Sequence, residues 1–297
     1  MYLPRLRIRF RLRAASLATG LAASRLVLAG SDDAEQVIQK VKRVEQSVGY
    51  KPTRNFTVTD ARTVAHYRCY FTGVRQLPQS YDGLRLRKGT PDGCAIDEKK
   101  YDVFFYPVEA VASGHTPVTQ SLEAAPAERV AMVVPHEDFH AQLHGLPYSV
   151  AEAAATLVGF ATAAVALEAV SADADVFLQK AELINRYYER LARIYRSEHN
   201  KDEAMGAKRE LLASLQRECA AIQPEPRTFN KCVSAQNNAG LAFDHTYTKY
   251  YPLVYGIFRA CGRDLSCTIR KIESAPKKKR EADVAAYLAA QVSATKP

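Results

Sequence analysis

His136-Glu137-Asp138-Phe139-His140 puts two imidazoles and a carboxylate within five residues, and Glu152 follows twelve residues after the second histidine. On a helix, His136 and His140 lie one turn apart on one face, so both rings can reach a single metal ion. Glu152, brought back by a turn and a second helix, is the candidate third ligand. A His/His/Glu set suits Zn2+, which keeps a fourth position for a water whose pKa falls to about 7. Glu137, beside the histidines, is the candidate general base for that water. The chemistry these residue types point to is metal-assisted hydrolysis of a peptide bond. With only seven histidines in 297 residues, the pattern is a rare product of chance.

The elements that must carry these groups can be read around them. Ala131-Met132-Val133-Val134 leads into the motif as an apolar run, and Gly145 and Pro147 stop its helix soon after His144. Glu152 then opens an alanine-rich helix, Glu152 to Phe160. Pro135 cannot supply a backbone N–H, so the motif's helix either begins at Pro135 or kinks there. Both cases put His136 in a first turn. His144, one turn beyond His140, is a possible alternative ligand, read here as a solvent-side residue.

Elsewhere, Asp32 to Val48 has helical periodicity. From Tyr50 to Tyr106 turn signals are dense and short β-prone runs appear, Val64 to Phe71 and Tyr101 to Tyr106, which predicts a small sheet. Gly114 to Pro117 reads as a loop. From Leu122 onward the chain reads as mostly helical, with long amphipathic stretches at Val176–Arg196 and Lys201–Ala221. The expected fold is α+β and predominantly helical. After a signal peptide at 1–30, a single domain at 31–297 is expected, strand-bearing over 31–121 and helical over 122–297.

Composition narrows the setting. The formal charge is +9, but six arginines and no acid lie in the first 29 residues, and the remainder carries +3. No nucleic-acid partner is therefore expected, and Pro276-Lys-Lys-Lys-Arg280 reads as a solvated charged stretch. Arg5 to Arg13, the apolar Ala14 to Ser24 and the small residues of Val27-Leu28-Ala29 together read as an export signal cleaved near Ala29. No stretch of 18 consecutive apolar residues is present, so no stable membrane anchor is expected. The expected location is periplasmic or secreted. Six cysteines follow the signal, and pairing by proximity gives 69–94, 219–232 and 261–267, one of fifteen connectivities.

A late stretch, Asn237-Asn-Ala-Gly-Leu-Ala-Phe-Asp-His-Thr-Tyr247 followed by Tyr250 to Tyr255, supplies groups for stabilising an oxyanion. Tyr247 is the candidate, with His245 and Tyr250 behind it. An enzyme that removes N-terminal residues also needs an acid for the substrate's free amine, and Asp138, Glu168 and Asp244 are available.

These pieces resemble the bacterial putative aminopeptidase family. The resemblance runs from Tyr101 to Phe258 and rests on Tyr101–Val108, Thr116–Leu122, His136–Gln142, Glu152–Gly159, Leu183–Tyr195 and the late Asn237-Asn-Ala with Tyr247 and Pro252. It implies a gluzincin-like core between two helices, His136, His140 and Glu152 as zinc ligands, Glu137 as base, and a peptide or protein substrate. The chain departs from the family pattern at Ala151, where an asparagine is usual, and at Pro135 and Asp138. Ser31 stands where relatives that are lipoproteins carry a cysteine. A second reading of another class is an exported zinc- or peptide-binding protein that keeps the scaffold without turnover.

Overall fold

The computed structural model describes residues 33–111, 114–198 and 200–293; the expected signal segment lies outside them. The chain is α+β and mostly helical, 57% helix, with two small sheets.

The first helix, α1 (Ala34–Val48), is capped by Asp33, which accepts from the Gln36 N–H, and ends at Gly49 with φ +96°. β1 (Thr59–Asp60), β2 (His66–Gly73), β3 (Arg85–Lys88), β4 (Tyr101–Val108) and β5 (Val118–Thr119) follow. β3, β2 and β4 form an antiparallel sheet in that order, with Tyr70 opposite Phe104 and Arg68 opposite Tyr106. β1 and β5 form a two-residue parallel pair. The two longer strands fall within two residues of the expected runs.

The helical part comprises α2 (Gln120–Glu123), α3 (Ala127–His140), α4 (Tyr148–Ala166), α5 (Asp173–Ser197), α6 (Lys201–Ala220), α7 (Asn238–Thr248), α8 (Tyr251–Ala260), α9 (Leu265–Glu273) and α10 (Glu281–Ser293). α4 is the centre. Most of its alanines and Val150, Leu157, Val158 and Phe160 are buried in a core shared with α1, α3, α8, α9 and α10. By length and composition α4 could cross a membrane, yet it is largely enclosed by the other helices. A second apolar cluster joins α5 to α6. A third sets the Tyr70, Phe104 and Tyr106 face of the sheet on Ala239, Ala242 and Phe243 of α7.

The structure corrects two boundaries. α3 does not begin at Pro135 but runs through it, so His136 lies in the third turn rather than the first. Proline inside a helix costs about 3 kcal/mol through its missing N–H and its ring. Val130 to Val134 are all buried against the core, and their packing outweighs that cost. α4 likewise starts four residues before Glu152, at Tyr148. Gly145, with φ +83°, makes the turn between the two helices, and its carbonyl accepts from Lys278 N–H at 2.7 Å.

All three cysteine pairs expected from proximity are disulfides: Cys69–Cys94, Cys219–Cys232 and Cys261–Cys267. The first ties the loop after β3 to the middle of β2. Such bonds persist in an oxidising compartment.

Candidate metal centre

α3 and α4 pack closely enough to share a site because Gly159 faces α3. A Cβ there would stand 3.1 Å from the Met132 carbonyl oxygen and 3.2 Å from the His136 Cβ. His136 and His140 project from α3 towards Glu152 on α4. The His136 Nε2 and His140 Nε2 atoms are 3.2 Å apart, and they lie 3.3 and 3.2 Å from Glu152 Oε2. The three form a nearly equilateral triangle, and they are the group among the described residues able to hold a metal ion.

These edges fit zinc. A tetrahedral ion with bonds of about 2.0–2.1 Å separates its ligand atoms by about 3.3–3.4 Å. Glu152 Oε2 is buried and has no hydrogen-bond partner, while Oε1 accepts from the Tyr81 hydroxyl at 2.8 Å. A buried carboxylate oxygen whose polar neighbours are two imidazole nitrogens at 3.2–3.3 Å is an arrangement that suits a cation. The His136 Nδ1 is also buried without a partner.

In the metal-free protein these groups pair with each other. Burial pulls His140 down, but the Glu152 carboxylate, with a smaller contribution from Glu137, raises it to about 9. Burial pushes Glu152 up, and the two histidines more than reverse that, holding it well below the usual carboxylate range.

Glu137 is half-buried on α3, and its charge acts on His140, Tyr106 and Tyr247. Tyr247 comes from α7. Its ring centroid stands 6.3 Å from that of His136 and 6.3 Å from that of Tyr81. Burial first, then the Glu152 charge, raise its pKa far above 10, so the phenol keeps its proton and can donate it. The five expected site residues therefore converge from three helices. α7 is set against the sheet by Asn237, which caps it by accepting from Gly240 N–H at 3.0 Å and donates to the Val103 carbonyl at 2.9 Å.

The other candidates lie elsewhere. His144 is exposed and outside the ligand triangle. His245 donates from Nδ1 to the Gln79 carbonyl at 2.7 Å, with its ring stacked 3.7 Å from Tyr188. Tyr250 donates to Glu281 at 2.8 Å. Asp138 is fully buried on the back of α3, where Lys42, Thr53 and Asn55 bind it. Asp244 is buried against Lys180 at 3.1 Å, and Glu168 is exposed on a single turn after α4.

Tyr81 is the residue that sequence reasoning missed. It sits on a single helical turn, Tyr81–Gly83, far from any motif, and its ring packs among Tyr70, Tyr148, Phe243 and Tyr247. No local signal marks it. Its role emerges only from a contact that spans 71 residues of sequence.

A family model described as a putative aminopeptidase matches residues 95–285. No curated protein and no solved structure matches the chain.

Proposed function

Because this chain belongs to the putative aminopeptidase family, we propose that it is an exported, zinc-dependent peptidase, aminopeptidase-like, with a gluzincin-type centre. The observation that carries the proposal is the ligand triangle, in which two imidazole nitrogens and an unpartnered carboxylate oxygen stand at the separations a tetrahedral ion requires. His136, His140 and Glu152 would hold the ion, which when bound supplies an acidified water and a Lewis acid for the substrate carbonyl.

The chain's own groups do the rest. Glu137 takes the proton of the attacking water and delivers it to the leaving amine nitrogen as the C–N bond breaks. Tyr247, protonated at all working pH values, donates to the carbonyl oxygen as negative charge develops there. The aromatic surroundings of Tyr70, Tyr81, Phe104, Tyr106 and Phe243 lower the local dielectric, which strengthens both effects. The aminopeptidase reading draws on the family, since Asp138 and Asp244 are already engaged elsewhere. Three disulfides support export.

The test is zinc content by elemental analysis together with cleavage of a peptide library. Wild type should carry near-stoichiometric zinc and cleave. Glu137→Gln should keep the zinc and lose about 10²- to 10⁴-fold in rate, the range for removing a general base. A zinc-loaded wild type that cleaves nothing would replace the peptidase reading with that of a binding protein.

A further inference from the structure

The geometry points to Tyr81 as the positioning residue for the third metal ligand, held in place by a strap of chain, Val74–Gly83, that the helices grip through its backbone. This rests on the metal reading of His136, His140 and Glu152.

A glutamate ligand has two oxygens and several rotatable bonds, so something must choose which oxygen faces the ion. Here Tyr81 does so. Its hydroxyl donates to Oε1 at 2.8 Å, and that leaves Oε2 as the oxygen turned towards the two histidines. A hydrogen bond from a neutral donor also keeps negative charge on the carboxylate while fixing its rotation. Ala151, next to the ligand in the chain, is buried and has no polar side chain to offer, and the ligand's Oε1 takes its hydrogen bond from the strap.

The strap explains how a residue on a loop can hold such a tolerance. Its carbonyls are taken one after another by side chains from three helices. Val74 O accepts from Tyr195 at 3.3 Å, Lys208 at 3.1 Å and Asn238 at 3.1 Å. Gln76 O accepts from Asn238 at 2.9 Å, Pro78 O from Tyr188 at 3.1 Å, and Gln79 O from His245 at 2.7 Å. The Tyr81 N–H itself donates to Thr246 Oγ1 at 2.8 Å, directly beside Tyr247 in the chain. Burial pushes His245 down to about 4, so the ring stays neutral and keeps this bond across the working pH range. Lys208 is buried too, and it is paired with Asp102 of β4. Burying side-chain donors is costly unless they are hydrogen-bonded, and here the strap's carbonyls accept from them. The same grip carries Tyr81 to the ligand and sets its ring 6.3 Å from that of Tyr247. Asn238, His245 and Thr246 of the late motif thus act on the metal through Tyr81, without touching it.

The experiment measures zinc affinity by competition with a chelator, and the visible spectrum of the cobalt-substituted protein, for wild type, Tyr81→Phe, Tyr188→Phe and Tyr247→Phe. Tyr81→Phe keeps the ring and its packing, and should weaken zinc by about 10- to 100-fold, the usual cost of losing a partner behind a ligand. Its cobalt spectrum should shift as the ligand field changes. Tyr188→Phe, which loosens the strap at a distance, should move both readouts the same way by a smaller factor. Tyr247→Phe should leave both unchanged while lowering turnover. Wild-type zinc affinity and cobalt spectrum in Tyr81→Phe would overturn the assignment, as would equal effects from Tyr81→Phe and Tyr247→Phe. A wild type that binds neither metal would overturn the metal reading itself, and this inference with it.

Discussion

The two faces of α3 use the same residue types for opposite ends. On the back, Asp138 is fully buried and both of its oxygens have donors: Lys42, Thr53 and Asn55 donate to it, and Asn55 in turn accepts from the Thr116 N–H. The neighbouring Glu45 is raised to about 9 by burial first and then by the Asp138 charge, so it carries a proton rather than a second negative charge. On the front, two residues away, His136 Nδ1 and Glu152 Oε2 are buried with no partner, and three donor atoms crowd to within 3.3 Å. Glu45 Oε1 on the back is also buried without a partner, but only on the front does such a carboxylate oxygen face two imidazole nitrogens at ligand distances. The back face holds α1 to α3. The front face brings together His136, His140 and Glu152, which could hold a metal ion.

The largest expected effect breaks this comparison at its centre. Glu152→Gln keeps the shape and an oxygen for Tyr81, but it removes the charge. Zinc affinity should fall by at least about 10³-fold, beyond the 10- to 100-fold cost of altering an outer partner. Asp138→Asn should do the reverse: zinc stays near stoichiometric, while stability drops by about 2 kcal/mol because Lys42 loses its carboxylate. Equal loss of zinc in both variants, measured by elemental analysis beside thermal melts, would show that the two faces are not separable.

The pH dependence sharpens the same contrast. Without metal, the raised pKa of His140 contributes stability that is complete below pH 6.5 and is lost as pH rises to about 9. The lowered pKa of Glu152 contributes stability that is present above pH 4.5 and is lost as pH falls below that. Metal-free protein should therefore gain most from this pair between pH 4.5 and 6.5. Zinc affinity should climb from pH 6.5 to about 9, because His140 must release its proton to bind. In Glu152→Gln the climb should flatten and shift to lower pH. Melting curves with and without zinc across this range test both signs.

Much of the centre was legible because it is local. His136, Glu137 and His140 share one helical face, and that periodicity is written in five residues. The long helices and the cysteine pairs were readable for the same reason. What escaped was whatever depends on distant partners. Asp138 looks as available as Glu137 in the sequence, and only the arrival of Lys42, Thr53 and Asn55 from α1 and the loop after it turns it into an anchor. Pro135 argued for a helix start or a kink, and the start gave way to the burial of the preceding apolar run. His245 carried the residue type of a catalytic group, yet its neutral ring serves a loop carbonyl. Tyr81 had no marker at all.

The smallest effect comes from the glycine that sets the distance between the two helices. Gly159→Ala gains about 1 kcal/mol in helix propensity. It also forces a methyl into space where the Met132 oxygen is 3.1 Å and the His136 Cβ 3.2 Å from the new atom, so α3 must give by a few tenths of an ångström. On stability these terms oppose, and the melting temperature of the metal-free protein should change little. On the ligand triangle they do not oppose, because the crowded atoms include the His136 Cβ, and the edge from His136 to Glu152 is already 3.3 Å. Zinc should weaken several-fold, by about 1 kcal/mol or less, with Glu137 and Tyr247 untouched. Unchanged zinc affinity in a variant that melts like wild type would mean that the front face tolerates the small displacements its geometry is argued to exclude, and that Glu152 can follow His136 on its own.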